Sequence, residues 1–205
     1  MVNAENIEQV LQDIHNGVPI IIVDDYDREN EGDVVIAGEK ATEHNLLFFM
    51  NYAKGLMCIP CEGNVLDNLK IPQMGRNNND KYGTPFSISV DAVKGTTTGM
   101  SVADRLKTIK VLSDQNSKPE DLAQPGHLFP LRAHDDLVKG RRGHTEAAVE
   151  IVKLAGLKPV SVIAEIMNQD GSMAKEQQLV DFAKIFNLKM ISVQEIYDAV
   201  YKKSL

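Results

Sequence analysis

The feature that most constrains this chain is the alternation, from end to end, of short β-branched runs with segments of helical periodicity. Ile7, Val10, Leu11 and Ile14 recur at helical spacing, and Gly17 is placed to stop that helix. Pro19–Val23 and Val34–Ala37 then read as buried strands, and Leu56–Ile59 as a third. Thr42 is placed to cap a helix through Tyr52, and Ser101 with Asp104 forms a capping box for a helix through Leu112. Phe86, Ile88 and Val90 alternate with polar residues in the manner of a strand. Later, His144–Ala155 reads as a helix stopped by Gly156, Val160–Met167 as a strand, and Leu179–Phe186 as a helix. Lys189–Val193 is a last strand, and Ser192 with Glu195 caps the final helix. Strands alternating with helices predict a sheet covered on both faces, a three-layer α/β/α arrangement within the α+β class. Several short connections add antiparallel pairs, so the sheet is expected to be mixed.

A chain of 205 residues with 43% apolar residues can bury one core unaided, and residues 1–205 read as a single domain. The formal charge of −7 argues against a nucleic-acid partner, which needs a basic face. No apolar run approaches the ~18 residues of a membrane span, and the N-terminus lacks an import signal, so a cytoplasmic protein is expected. The polar stretch 62–85, centred on Arg76-Asn77-Asn78-Asn79-Asp80, predicts a long loop able to close over a site.

Two segments carry chemistry. Residues 24–33 hold six carboxylates, with Asp27, Glu29, Glu31 and Asp33 at every second position. If extended, the chain points all four the same way, and their repulsion calls for a cation. Oxygen donors favour a hard divalent ion, magnesium above all beside phosphate. An EF-hand fails, because its twelfth position would be Gly38. A solvated acidic turn is the plainer alternative. Lys139-Gly140-Arg141-Arg142-Gly143-His144-Thr145 leads into a helix whose free N–H groups and arginines welcome phosphate, although a solvated basic cap reads the same. Beside carboxylates, a neutral His144 could complete a metal site.

Other candidates are weaker. Glu165 interrupts an apolar strand, where burial would raise its pKa toward acid–base use. His127 follows Pro125-Gly126, read as a turn, and fits a structural role as well as a catalytic one. Gly95-Thr96-Thr97-Thr98-Gly99 suits anion contact or an ordinary turn. Cys58 and Cys61 lack a second pair for zinc, so Cys58 lines a pocket or packs in the core.

In order along the chain, the motifs are Asp24-Asp25 with Arg28-Glu29-Asn30-Glu31-Gly32-Asp33, Tyr82-Gly83-Thr84, and Gly95-Thr96-Thr97-Thr98-Gly99. Ala103-Asp104-Arg105, Pro125-Gly126-His127 with Phe129-Pro130-Leu131-Arg132-Ala133, Arg141-Arg142-Gly143-His144-Thr145-Glu146-Ala147 and Leu154-Ala155-Gly156 follow. This series closely resembles the 3,4-dihydroxy-2-butanone 4-phosphate synthase family of riboflavin biosynthesis, over nearly the whole chain. The length matches the monofunctional form, without a fused GTP cyclohydrolase II half. The resemblance implies conversion of D-ribulose 5-phosphate to the four-carbon ketone phosphate and formate. It implies a Mg2+ cofactor, with Mn2+ as a substitute, and a homodimer with shared active sites. Glu29 and His144 would be metal ligands. Arg28, Glu29, Asp33, Thr84, Arg141, Arg142, Gly143, His144 and Thr145 would hold substrate, and His127 and Glu165 would be essential for catalysis. Cys58 matches a pocket cysteine, and Asp27, Glu31 and Thr98 are further pocket candidates. His134-Asp135-Asp136 replaces a glycine-rich stretch of many members, and His134 is not expected to be a ligand. A different magnesium-dependent sugar-phosphate lyase or isomerase, and an acidic calcium- or anion-binding module, are the competing readings of the same residues.

Overall fold

A computed structural model describes residues 4–75 and 77–202; Arg76, the centre of the expected loop, lies outside them. Seven strands form one sheet in the order β4-β5-β3-β6-β2-β1-β7, where β1 is Ile20–Val23, β2 Gly32–Ala37, β3 Cys58–Cys61, β4 Val90–Ala92, β5 Leu122–Arg132, β6 Ser161–Glu165 and β7 Met190–Ser192. β1–β7 and β3–β5 are parallel, and the other neighbours are antiparallel. The sheet is mixed, as the short connections predicted.

Alternation along each strand sends side chains to two separate cores. Ile20, Ile22, Val35, Ala37 and Ile163 pack against α1 (Ala4–His15), α6 (His144–Leu154) and α8 (Val193–Tyr201). Ile21, Val34, Ile36, Val162 and Ala164 face α2 (Glu43–Phe48), α3 (Gly63–Asn68), α4 (Val102–Ser113) and α7 (Gln177–Phe186). A short α5 (Leu137–Gly140) precedes α6. The result is the three-layer arrangement, with strands apolar on both sides because both sides are covered.

Local chemistry explains the boundaries. Ser101 accepts from the Asp104 amide at the start of α4, and Ser192 and Glu195 exchange both bonds of a capping box at α8. The helix expected over 42–52 keeps Thr42 as its cap, but changes after Phe48 to one wide π turn, Phe49–Ala53, closed by Lys54 in the left-handed region. Part of the expected 62–85 loop is helical, as α3. Phe86 and Ser87 make only isolated bridges, and the regular ladder begins at Val90.

The expected Pro125-Gly126 turn is instead a bulge within β5. There the register jumps: Val90 pairs with Leu128 whereas Asp91 pairs with Ala123. Proline is tolerated because β3 pairs only with Phe129–Arg132 and needs no donor from position 125.

Candidate active site

The loop from β1 to β2 is folded around one carboxylate. Asp24 Oδ2 accepts from Arg28 Nη1 at 2.8 Å and from the Glu29 amide at 3.1 Å, while Oδ1 accepts from the Glu31 amide at 2.9 Å. The segment is therefore a compact turn, with Asn30 at φ 55°. This overturns the expected same-facing row of four carboxylates: Asp27 is exposed, while Glu29 and Glu31 turn inward with Arg28. Arg28 Nη2 also meets Glu29 Oε1 at 2.9 Å.

The floor comes from the sheet. Asp33 of β2 lies opposite Glu165 of β6, and Cys58 of β3 lies opposite Ile163. All four share the sheet face that carries α6. The roof is the start of α6, where Gly143 is the N-cap and His144 and Thr145 begin the helix. A side chain at Gly143 would stand 2.4 Å from Arg141 Nη1 and 3.0 Å from Arg28 Nη2, so glycine lets two guanidinium groups converge. Arg141 donates to Glu146 Oε2 at 2.6 Å and to the Tyr82 carbonyl at 3.2 Å, and the Arg28 guanidinium lies 5.5 Å from the Tyr82 ring centre. Together these residues enclose a cavity of about 280 Å³. A second cavity of about 220 Å³, lined by Asn64, Ser113 and Lys158, gathers no comparable cluster of titratable groups, so the chemistry is assigned to the first.

The electrostatics are those of an unbalanced acidic pocket. Burial pushes the Asp33 carboxyl up to about 7; His144 opposes the rise, and Glu165 and Glu29 add to it. His144 is held up at about 9: burial disfavours the cation, but Asp33, Glu29 and Asp24 together outweigh it. Burial likewise raises the Glu31 and Glu165 carboxyls and the Cys58 thiol. Glu29 is lowered despite burial, by His144 and Arg28. Among the described residues several buried polar atoms have no hydrogen-bond partner: Asp33 Oδ1, His144 Nε2, Glu165 Oε2 and Arg141 Nε. Each orphan costs about 1–3 kcal/mol unless something enters to satisfy it. Asp24, Glu29 and His144 each offer a ligand atom, all within 4.8 Å of one another, and His144 Nδ1 is 3.5 Å from Glu29 Oε2. That donor set, with unsatisfied neighbours, fits a hard divalent cation.

Of the residues singled out in the sequence, Arg28, Glu29, Glu31, Asp33, Cys58, Thr84, Arg141, His144, Thr145 and Glu165 line the cavity. Arg142 turns away: it bonds Gln194 and stacks over the Tyr197 ring, 3.7 Å from its centre. Thr98 is exposed, and neither it nor His127 lines this cavity. His134 accepts from the Asp136 amide and packs against Gly140. Sequence reasoning missed Glu146, which is fully buried beneath Arg141 and accepts from the His134 amide at 3.1 Å. A charge directly before the apolar run Ala147–Val149 was its signal.

The family model described as 3,4-dihydroxy-2-butanone 4-phosphate synthase matches residues 8–199. The 3,4-dihydroxy-2-butanone 4-phosphate synthase of Agrobacterium fabrum is 46% identical over 93% of this chain and 89% of that protein. Riboflavin biosynthesis protein RibBA of Nocardia farcinica is 45% identical over 96% of this chain but 48% of its own length. A crystal structure of 3,4-dihydroxy-2-butanone 4-phosphate synthase in complex with two magnesium ions superposes with a TM-score of 0.91, at 38% identity, covering 96% of both chains.

Proposed function

The chain belongs to the 3,4-dihydroxy-2-butanone 4-phosphate synthase family, and from that premise we propose that it converts D-ribulose 5-phosphate into 3,4-dihydroxy-2-butanone 4-phosphate and formate. The reading rests on one observation above the others. Unpartnered buried atoms of Asp33, His144 and Glu165 surround one cavity that also holds two guanidinium groups and a helix N-terminus.

In this proposal Glu29 and His144 hold a magnesium ion; their clustered ligand atoms support the pair, and a solved relative is described in complex with two magnesium ions. The bound ion supplies a Lewis acid for negative charge developing on sugar oxygens, and manganese is a workable substitute for the same donors. Arg141, Thr145 and the amides at the start of α6 receive the phosphate, with Gly143 leaving room for it, and Thr84 adds a hydroxyl. Phosphate binding orients the reacting carbons. Asp33, its carboxyl raised by burial at the cavity floor, is one acid–base group. Glu165, raised by burial, is a second acid–base group across the β2–β6 pair. Together they serve the enolisation, loss of a hydroxyl, skeletal shift and formate release that the conversion requires.

His127 is exposed on the edge formed by β4 and β5, away from its own cavity. We place it in the cavity of a second copy, which makes the working unit a homodimer with shared sites. No helix among the described residues is long and apolar enough to cross a membrane, and we propose a cytoplasmic enzyme without nucleic-acid partners. The deciding assay is formate release from D-ribulose 5-phosphate with magnesium. Formate should appear and chelator should abolish it. Turnover to a different product, or none, would replace this reading with another sugar-phosphate chemistry.

A further inference from the structure

His127 is held by a built carboxylate. Asp91 Oδ2 lies 2.6 Å from His127 Nδ1, and Asp91 Oδ1 accepts from the His127 amide at 2.9 Å. One side chain thus fixes both the backbone and the ring of the same residue. Asp91 is largely covered, its side chain 13% exposed, while the imidazole is 44% exposed. Among the described residues the ring makes no hydrogen bond through Nε2.

Three separate features make room for this pair. The register jump between Val90 and Asp91 loops Gln124–His127 out of the ladder and brings position 127 back over Asp91. Gly126 allows it: a Cβ there would stand 2.1 Å from the Val90 carbonyl carbon and 2.3 Å from the Asp91 nitrogen. Gly99, at φ +84°, closes the other side, since its Cβ would stand 2.0 Å from Asp91 Oδ2. The loop carrying Gly99 is itself pinned by Asp104, whose Oδ2 accepts from the Thr97 amide, the Thr97 hydroxyl and the Gly99 amide. The Gly95-Thr96-Thr97-Thr98-Gly99 motif therefore serves as a wall behind Asp91. A surface aspartate that merely met a nearby histidine would not need two glycines and an anchored loop.

We propose that Asp91 is the positioning residue for His127: it fixes the Nδ1–H tautomer and presents Nε2 outward as the proton-accepting atom. An ionised carboxylate only accepts, so the shared proton sits on Nδ1 and the lone pair of the neutral ring is left on Nε2. This deepens the functional reading above and rests on it for the identity of the reaction. A fixed tautomer and orientation is what such a carboxylate contributes to a histidine base.

The test uses the full chain with magnesium and separates tautomer from turnover. Long-range ¹⁵N NMR of the imidazoles, with His127 assigned by its loss in His127→Ala, should show the neutral Nδ1–H form in the unmodified protein. Asp91→Asn offers an amide donor to Nδ1 and should shift the ring to Nε2–H. Its kcat should fall about 100-fold, the scale of a lost acid–base group, with KM within about twofold, and Asp91→Glu should recover part of the loss. Adding Asp91→Asn to His127→Ala should cost nothing further. An Nε2–H ring in the unmodified protein overturns the proposal, and that measurement needs no variant of Asp91 to fold. Undiminished kcat in Asp91→Asn beside a crippled His127→Ala also overturns it. If His127→Ala turns over normally, the catalytic assignment of His127 fails instead, while the tautomer still reports whether Asp91 holds the ring.

Discussion

Metal binding at this site should release protons, and the amount follows from two groups. His144 sits at about 9, so at pH 8 roughly ten rings in eleven carry the extra proton and cannot ligate. Each unit of pH below about 9 should weaken the apparent affinity about tenfold, or about 1.4 kcal/mol. Below about 7 the Asp33 carboxyl also holds a proton that a neighbouring dication would expel, so the dependence should steepen toward two protons per ion. The other groups facing the ring do not change this sign. Asp24 and Glu29 are held low and stay ionised, Arg28 stays charged, and Glu31 and Glu165, raised by burial, can only add to the protons released. Calorimetric titration with Mn2+ or Mg2+ in two buffers of different ionisation enthalpy gives the proton count directly. About one proton is expected near pH 8 and more than one near pH 6. Affinity independent of pH across that range would refute both the ligand role of His144 and the electrostatics assigned to the pocket.

Three further outcomes are expected. Gly143→Ala must displace Arg141 or Arg28, because its Cβ would stand 2.4 Å from Arg141 Nη1; kcat/KM should drop about 100-fold with folding retained, and an unaffected enzyme would remove the cradle argument. In chelator, stability from His144 is complete below about 6.5 and fades as pH climbs through about 9, and that from Asp33 fades between about 4 and 7. The chelated protein should thus melt progressively lower from pH 5 to pH 9, and magnesium should narrow the decline; a flat profile in chelator contradicts this. Ser192→Ala, which breaks the α8 capping box, should lower stability by about 1 kcal/mol in urea unfolding while kcat stays unchanged.

Much of the framework was legible because burial on both faces leaves a simple mark. Ile20–Ile22 and Val34–Ile36 are continuous apolar runs, and the structure divides each between two cores. Capping was legible for the same reason of locality, since Ser101, Thr42 and Ser192 bond residues only three positions away. The acidic loop was not, because period-two reasoning assumes extended backbone. Asp24 overrides it with three hydrogen bonds that wind the chain about its own carboxylate, which turns Asp27 outward and Glu29 inward. The Asp91–His127 pair was hidden more deeply. Its members lie 36 positions apart and meet through a register jump that no hydrophobic pattern announces.

Three of the site residues legible in the sequence share a property that also explains their chemistry: each violates a local rule of folding. Glu165 ends an apolar strand, Asp33 stands fully buried in another, and His144 opens a helix with an unsatisfied ring nitrogen. In a chain selected for stability alone, these positions would be apolar or paired. The surrounding fold tolerates them because the β2–β6 ladder holds the backbone of Asp33 and Glu165 in register, so their cost is confined to side chains. The same confinement leaves those side chains rigidly aimed into one space, with their electrostatic strain relieved only by what binds there. Pre-organisation of this kind lowers the reorganisation needed when charge develops on a bound substrate. The electrostatic strain of the pocket and its readiness for catalysis are therefore one physical property.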